Sequence, residues 1–244
     1  MTFLLALLLS VTPAADSTKV RETKVNANVR GKELLMRVAV PEGSAGRPLV
    51  VYFSGDLGWF PSTPFEFEDL KRLGYPSIGI SSHEYLHHFT PNTAPGLAED
   101  IAAVIAQGRS AAGLPATTSV IVTGTSRGAD LAVIAAAQPA LQDVAGLVAL
   151  GISPTEEKLK EDEIDVLAEL PNVKCRTAII QAVGDKYIAA AKLRTAVGAD
   201  SDRLRLWVNP SDSHSFRGHR DLVVTQLSEA LRWVLGGEES HIEY

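Results

Sequence analysis

Cysteine is the scarcest resource of this 244-residue chain: Cys175 stands alone, so no intramolecular disulfide can form and a cysteine-based metal site has no second thiolate. Cys175 sits in Pro171-Asn172-Val173-Lys174-Cys175-Arg176, just ahead of an apolar run, a position that reads as an inert thiol at the far end of a sheet from any site. Basic runs are missing as well. With 23 Lys and Arg scattered against 29 Asp and Glu, the net charge is −6, and no segment offers the phosphate-neutralising footprint of a nucleic-acid binder. Internal repeats, low-complexity tracts and Pro-rich linkers are also absent, which argues for one domain. No apolar run approaches the ~20 residues needed to cross a bilayer. The run that stands out, Phe3 to Val11, is short and closes in Thr12-Pro13-Ala14-Ala15, as a secretory signal peptide over residues 1–15 would. A short buried N-terminal strand is the alternative. No cysteine lies near that cleavage site, which excludes a lipoprotein anchor, and export without disulfides fits a periplasmic location. Residues 16–244 are then a single domain.

What is present is a regular alternation. Lys24 to Val29 and Leu34 to Val40 alternate in polarity and read as a hairpin turning near Gly31. Six apolar runs of the kind buried strands show then begin at Pro48, Ser77, Ser119, Ala145, Ala178 and Leu204. Helical spacing falls between and after them, at Phe65 to Leu73, Leu97 to Ala112, Ala129 to Ala137, Tyr187 to Val197 and Leu222 to Leu235. Such alternation implies right-handed crossovers and a mostly parallel sheet with helices on both faces. Eight strands beginning with a hairpin is the order of the α/β-hydrolase fold, although other doubly wound folds share the pattern. No insertion is large enough for a lid domain.

The chemistry concentrates in Gly124-Thr125-Ser126-Arg127-Gly128, a G-x-S-x-G match between a buried-strand run and an Ala-rich helix. In that setting Ser126 is the candidate nucleophile, on a strained strand-to-helix turn. The alternative, a phosphate-binding loop, lacks the lysine after its second glycine, and G-x-G-x-x-G is missing too. A serine hydroxyl needs a base to take its proton, and the sequence holds six histidines. The order serine, acid, histidine selects Asp185, on the turn after the Ala178 run, and His214, in the loop after the Leu204 run. Asp185 as a helix cap, Asp212 as the acid and His219 as the base stand as alternatives. Oxyanion donors are expected from the backbone N–H of Arg127 and from the loop Ser54 to Trp59, at Asp56 or its neighbour Leu57. The side chains of Asp56 and Arg127 are within reach of an ion pair, the alternative being two separately solvated charges.

His83-Glu84-Tyr85-Leu86-His87 matches H-E-x-x-H, which points to a different chemistry, a zinc protease. Between a strand end and Pro91 there is room for two helical turns at most, and no third ligand is evident, so no metal or other cofactor is expected. His83, Tyr85, His87 and His88, with Leu57 and Trp59, instead read as residues lining a substrate entrance at the carboxyl ends of the strands.

Taken together, Ser54-Gly55-Asp56-Leu57-Gly58-Trp59, Ser82 to Tyr85 with Thr90-Pro91 behind it, Asp100, and the elbow continuing into Gly128-Ala129-Asp130 resemble the VirJ/AcvB-type bacterial virulence proteins. The likeness covers Pro48 to Ser153 best and departs at Leu57, Thr125 and Arg127. It implies a periplasmic α/β-hydrolase that cleaves aminoacyl esters of phosphatidylglycerol at a membrane surface. A non-catalytic binding or chaperone protein of a secretion system, and a small-ester hydrolase of the dienelactone type, are the competing expectations.

Overall fold

The structure is a computed structural model that describes residues 19–61, 63–160 and 162–237, so the signal peptide expected over 1–15 lies outside the described residues. The chain opens with β1 (Val20–Val29) and β2 (Lys32–Pro41), an antiparallel hairpin turned by Arg30 at φ 49° and Gly31 at φ 75°. Two consecutive positive φ values are what a two-residue turn needs to match the twist of the strands it joins. Then follow β3 (Leu49–Phe53), α1 (Phe65–Arg72), β4 (Ser77–Ile80), α2 (Ser82–Phe89), α3 (Ala94–Ala112), β5 (Val120–Thr125) and α4 (Arg127–Ala136). The second half runs β6 (Gly146–Leu150), β7 (Thr155–Glu156), β8 (Ile164–Asp165), α5 (Val166–Glu169), β9 (Arg176–Ala182), α6 (Ala190–Val197), β10 (Leu204–Asn209) and α7 (Arg220–Val234).

Eight strands form one sheet in the order β1-β2-β4-β3-β5-β6-β9-β10, antiparallel where β1 meets β2 and β2 meets β4, and parallel from β4 onward. Every residue of β3, β4 and β6 is buried, as strands covered on both faces must be. One face is covered through Leu97, Ile101 and Val104 of α3 and Leu131 and Ile134 of α4. The other is covered through Phe67 and Leu70 of α1 and Leu227 and Leu231 of α7. The six buried runs and the hairpin thus fall where their patterns place them. Details differ: β7 and β8 form a small separate ribbon after β6, α2 and α5 are additional short helices, α3 starts at Ala94 rather than Leu97, and α6 starts at Ala190 rather than Tyr187.

Close approach of backbone is what brings β5 and α4 together. A Cβ on Gly124 would stand 2.2 Å from the carbonyl oxygen of Gly128, and one on Gly128 would stand 2.3 Å from the carbonyl oxygens of both Phe53 and Ser54. Those obstacles are backbone, so relief requires separating β3 from α4. Gly128→Ala is therefore expected to cost about 1–3 kcal/mol of stability, read as a lower urea midpoint; an unchanged midpoint would show that the contact is not tight.

Candidate active site

The elbow between β5 and α4 is built around Ser126, whose backbone stands at φ 55° and ψ −129°, in the left-handed half of conformational space where L-residues rarely rest. Its N–H donates to the Leu150 carbonyl at 2.8 Å, and its own carbonyl accepts from Ala129 N at 2.7 Å, so strand and helix both grip the turn. Ser126 occupies the N-cap position of α4, yet its hydroxyl makes no capping bond. It lies instead 2.7 Å from Nε2 of His214.

His214 is carried by the loop after β10, and its Nδ1 is 2.7 Å from Oδ2 of Asp185, on the turn after β9. The Asp185 side chain is fully buried, and its second oxygen accepts the Tyr187 N–H at 2.9 Å. A carboxylate only accepts, so Nδ1–H donates to Asp185 and Nε2 is left to accept the Ser126 hydroxyl proton. The imidazole is fixed from two further sides. Tyr187 meets it edge-on with ring centroids 4.7 Å apart, and Gly151, at φ 64°, leaves the space where a Cβ would come within 3.2 Å of Cε1. Asp212 is exposed and His219 precedes the first turn of α7, so neither takes the place of Asp185 or His214 in this chain of hydrogen bonds.

The loop after β3 lies against the elbow: a Cβ on Gly55 would be 3.7 Å from Cβ of Ser126. Among the described residues the backbone N–H groups of Asp56 and Arg127 have no acceptor, which leaves both available to a ligand beside Ser126. Their side chains are paired with each other, Arg127 Nε to Asp56 Oδ1 at 2.6 Å, rather than separately solvated. The Arg127 Nη1 atom also contacts both oxygens of Glu156, at 2.7 and 2.8 Å, and Lys158 reaches Asp56 at 3.3 Å. Burial works to raise the Asp56 carboxyl, but the Arg127 and Lys158 cations outweigh it and hold that carboxyl below its usual range.

The residues expected at a substrate entrance divide. Leu57 is 70% exposed, and His83 and His87 are exposed and line, with Asp56, Leu86, Thr90 and Lys158, a cavity of about 360 Å³ next to the loop. Tyr85 is a correction, and Trp59 is half-buried. Tyr85 lies on the inward face of α2 with Leu86 and Phe89, donates to Asp100 Oδ2 at 2.6 Å and accepts from Asn92, so it is a core group. The same helical period turns His83 and His87 outward. Trp59 packs edge-on against Phe67 at 5.4 Å under the Arg37 guanidinium, over the space that Gly79 leaves open. The Arg127 guanidinium is paired with the Asp56 and Glu156 carboxylates. His83 and His87 do share one continuous two-turn helix, but among the described residues no group of three or more His, Cys, Asp or Glu side chains is placed to hold a metal. Cys175 is part-buried just before β9, at the end opposite the elbow, and burial pushes its thiol up to about 11.

Sequence reasoning missed Glu156, Lys158, Tyr187 and Gly151, because nothing in their local sequence separates them from ordinary loop residues. Asp130, in the first turn of α4, accepts the Ser153 N–H at 2.8 Å and so anchors the segment that carries Glu156. Burial first, and Glu156 in part, push the Asp130 carboxyl well above the carboxylate range, favouring its neutral form. A raised folded-state value means that this group's contribution to stability is present at low pH and is lost as pH rises through that value. Asp130→Asn keeps the acceptor and removes the titration. Its urea midpoint minus that of wild type should therefore rise between acidic and mildly alkaline pH, and a difference that is constant or falls with pH would contradict the reading.

No protein-family model and no curated protein matches this sequence. Solved structures do resemble it. A dienelactone hydrolase from Anabaena variabilis is 22% identical with a TM-score of 0.68, covering 88% of this chain and 99% of that one. Est1E from Butyrivibrio proteoclasticus is 16% identical with a TM-score of 0.63, covering 84% and 96%. The acylaminoacyl peptidase of Pyrococcus horikoshii is 14% identical with a TM-score of 0.70, covering 93% of this chain and 44% of that longer one. Agreement in shape at such low identity carries the architecture, and the chain has the α/β-hydrolase fold.

Proposed function

We propose that the protein is a serine hydrolase that cleaves a carboxylic ester through an acyl-enzyme. The observation that carries this reading is the unbroken sequence of hydrogen bonds from Ser126 Oγ to His214 Nε2 and from His214 Nδ1 to Asp185, each 2.7 Å, on a serine held at positive φ. Ser126 Oγ attacks the ester carbonyl carbon as its proton passes to His214 Nε2, and the carbonyl electron pair moves onto oxygen. The Arg127 and Asp56 N–H groups stabilise that oxyanion. Asp185 holds the imidazole in the required tautomer and stabilises the imidazolium. Collapse expels the alcohol, which takes the proton from His214; water then repeats the sequence on the acyl-enzyme and releases the acid. The names of the similar structures, a dienelactone hydrolase, Est1E and a peptidase, are in keeping with acyl transfer at this site.

The substrate we assign is the aminoacyl ester of aminoacyl-phosphatidylglycerol, hydrolysed in the periplasm by an exported protein of the VirJ/AcvB type. Support comes from the sequence resemblance. It comes also from Leu57 and Phe60, 70% and 76% exposed on the loop beside the elbow, where they would touch a lipid surface. Among the described residues no helix is long and apolar enough to cross a membrane, so peripheral contact is the mode proposed.

A fluorophosphonate probe should label the native protein and not Ser126→Ala; absent labelling of the native protein would instead favour a binding role. Asp185→Asn should retain its fold and lose roughly 10⁴-fold in kcat. Turnover of aminoacyl-phosphatidylglycerol vesicles should exceed that of short nitrophenyl esters in kcat/KM. The reverse order would point to a small soluble ester.

A further inference from the structure

The residue after the nucleophile, first in α4, carries an unusual burden of ion pairs. Nε of Arg127 bonds Asp56, and Nη1 bonds both oxygens of Glu156, whose side chain is 1% exposed. Few of its N–H donors are left for a substrate, and the flanking charges of Asp56, Glu156, Arg127 and Lys158 sum to zero. A role in capturing an anionic ligand therefore has little support from these contacts. The network, though, joins three separate stretches of chain. Asp56 belongs to the loop after β3, Arg127 to the elbow, and Glu156 to the ribbon that Asp130 anchors through Ser153. The first two are the residues whose backbone N–H groups have no acceptor among the described residues, and the Gly55 before Asp56 packs against Ser126.

We propose that the Arg127 side chain, fixed by Glu156 and tied to Asp56, is a positioning device that holds the two oxyanion donors at a set separation. This rests on the ester-hydrolase reading above. Donors of this kind work only when held within about 0.5 Å of their productive place. The Asp56 segment is poorly suited to hold itself. The Asp56 side chain is 47% exposed, its neighbour Leu57 is more so, and it is flanked by Gly55 and by Gly58 at φ 61°. A half-exposed ion pair contributes little to overall stability, yet a 2.6 Å bond between the side chains of the two donor residues fixes their backbones relative to each other. The planar fork of arginine can serve both carboxylates at once, which a lysine ammonium on one stem cannot do with the same geometry.

Asp56→Ala is the decisive variant, because it keeps the donor N–H, leaves Arg127 paired with buried Glu156, and cuts the tie together with the exposed Lys158 contact, which Lys158→Ala removes alone and should leave kcat unchanged. If the tie positions the donors, kcat should fall about tenfold to a hundredfold, less than the ~10²–10³ of deleting a donor outright. KM should stay within about twofold, and affinity for a trifluoromethyl ketone analogue of the ester should fall by the same factor as kcat/KM. Removing a negative charge near a developing oxyanion would by simple electrostatics speed the reaction, so an unchanged or raised kcat overturns the proposal. So does a rise in KM with kcat intact, which would make these side chains substrate contacts. Arg127→Lys, which keeps a cation for Glu156, should show the same kcat loss and guards against a folding defect peculiar to Asp56→Ala. Fluorophosphonate labelling separates the two levels: native protein that does not react sinks the hydrolase reading, whereas native protein and Asp56→Ala reacting at equal rates sinks only the positioning role.

Discussion

The turn at Ser126 is the constraint on which the site depends. A residue with a side chain at φ 55° costs about 1–3 kcal/mol, and here that cost is offset by the packing of the two elements the turn joins, buried except at Thr125 and Arg127 beside the turn itself. The bend brings α4 back so sharply that residues 124 and 128 can carry no Cβ, and their backbones meet instead. It also turns the Ser126 hydroxyl out of the capping position that an N-cap serine normally takes. The hydroxyl is thereby free for His214, and the Arg127 side chain is delivered to Asp56 in the loop after β3. A relaxed serine at the same place would cap the helix and leave the histidine without a partner.

Convergence of the other two side chains follows from the parallel sheet. β5, β9 and β10 present their carboxyl ends on one side, so the segments that follow them meet there although Ser126 and His214 are 88 residues apart. Asp185 is fully buried, which a carboxylate tolerates only if its oxygens are bonded, and His214 and the Tyr187 N–H supply those bonds. The acid is thus held without side-chain freedom, and through it the imidazole, which Gly151 and Tyr187 confine further.

Much of this was legible in the sequence because buried parallel strands write themselves as continuous apolar runs, and G-x-S-x-G records a steric demand that only small residues meet. The order of strands then placed Asp185 and His214. What could not be read was orientation on short elements. Tyr85 and Trp59 share the carboxyl end of the sheet with His83 and Leu57, but a two-turn helix and a glycine-flanked loop each have an inner and an outer face. Which residue lies inward was decided by Asp100 and Asn92 in one case and by Phe67 in the other, all distant enough to leave no local signature. Glu156 was hidden for the opposite reason. In Thr155-Glu156-Glu157-Lys158 it reads as one more surface charge, and only a ribbon with no periodic signal of its own buries it against Arg127.

Charge at the elbow is balanced in a way that bears on the proposed chemistry. The two cations and two carboxylates around Asp56 cancel, so the field at a reacting carbonyl would come chiefly from the unpaired N–H groups at the start of α4 and in the loop after β3. An ionised carboxylate in the first turn of that helix would oppose an oxyanion forming at its N-terminus. Asp130 occupies such a position, and its burial, with Glu156 nearby, shifts it toward the neutral acid despite the Ser153 N–H that it accepts. The same carboxyl can thus anchor the ribbon as a hydrogen-bond acceptor without adding its full negative charge beside the reacting carbonyl, which a surface aspartate at that turn would do.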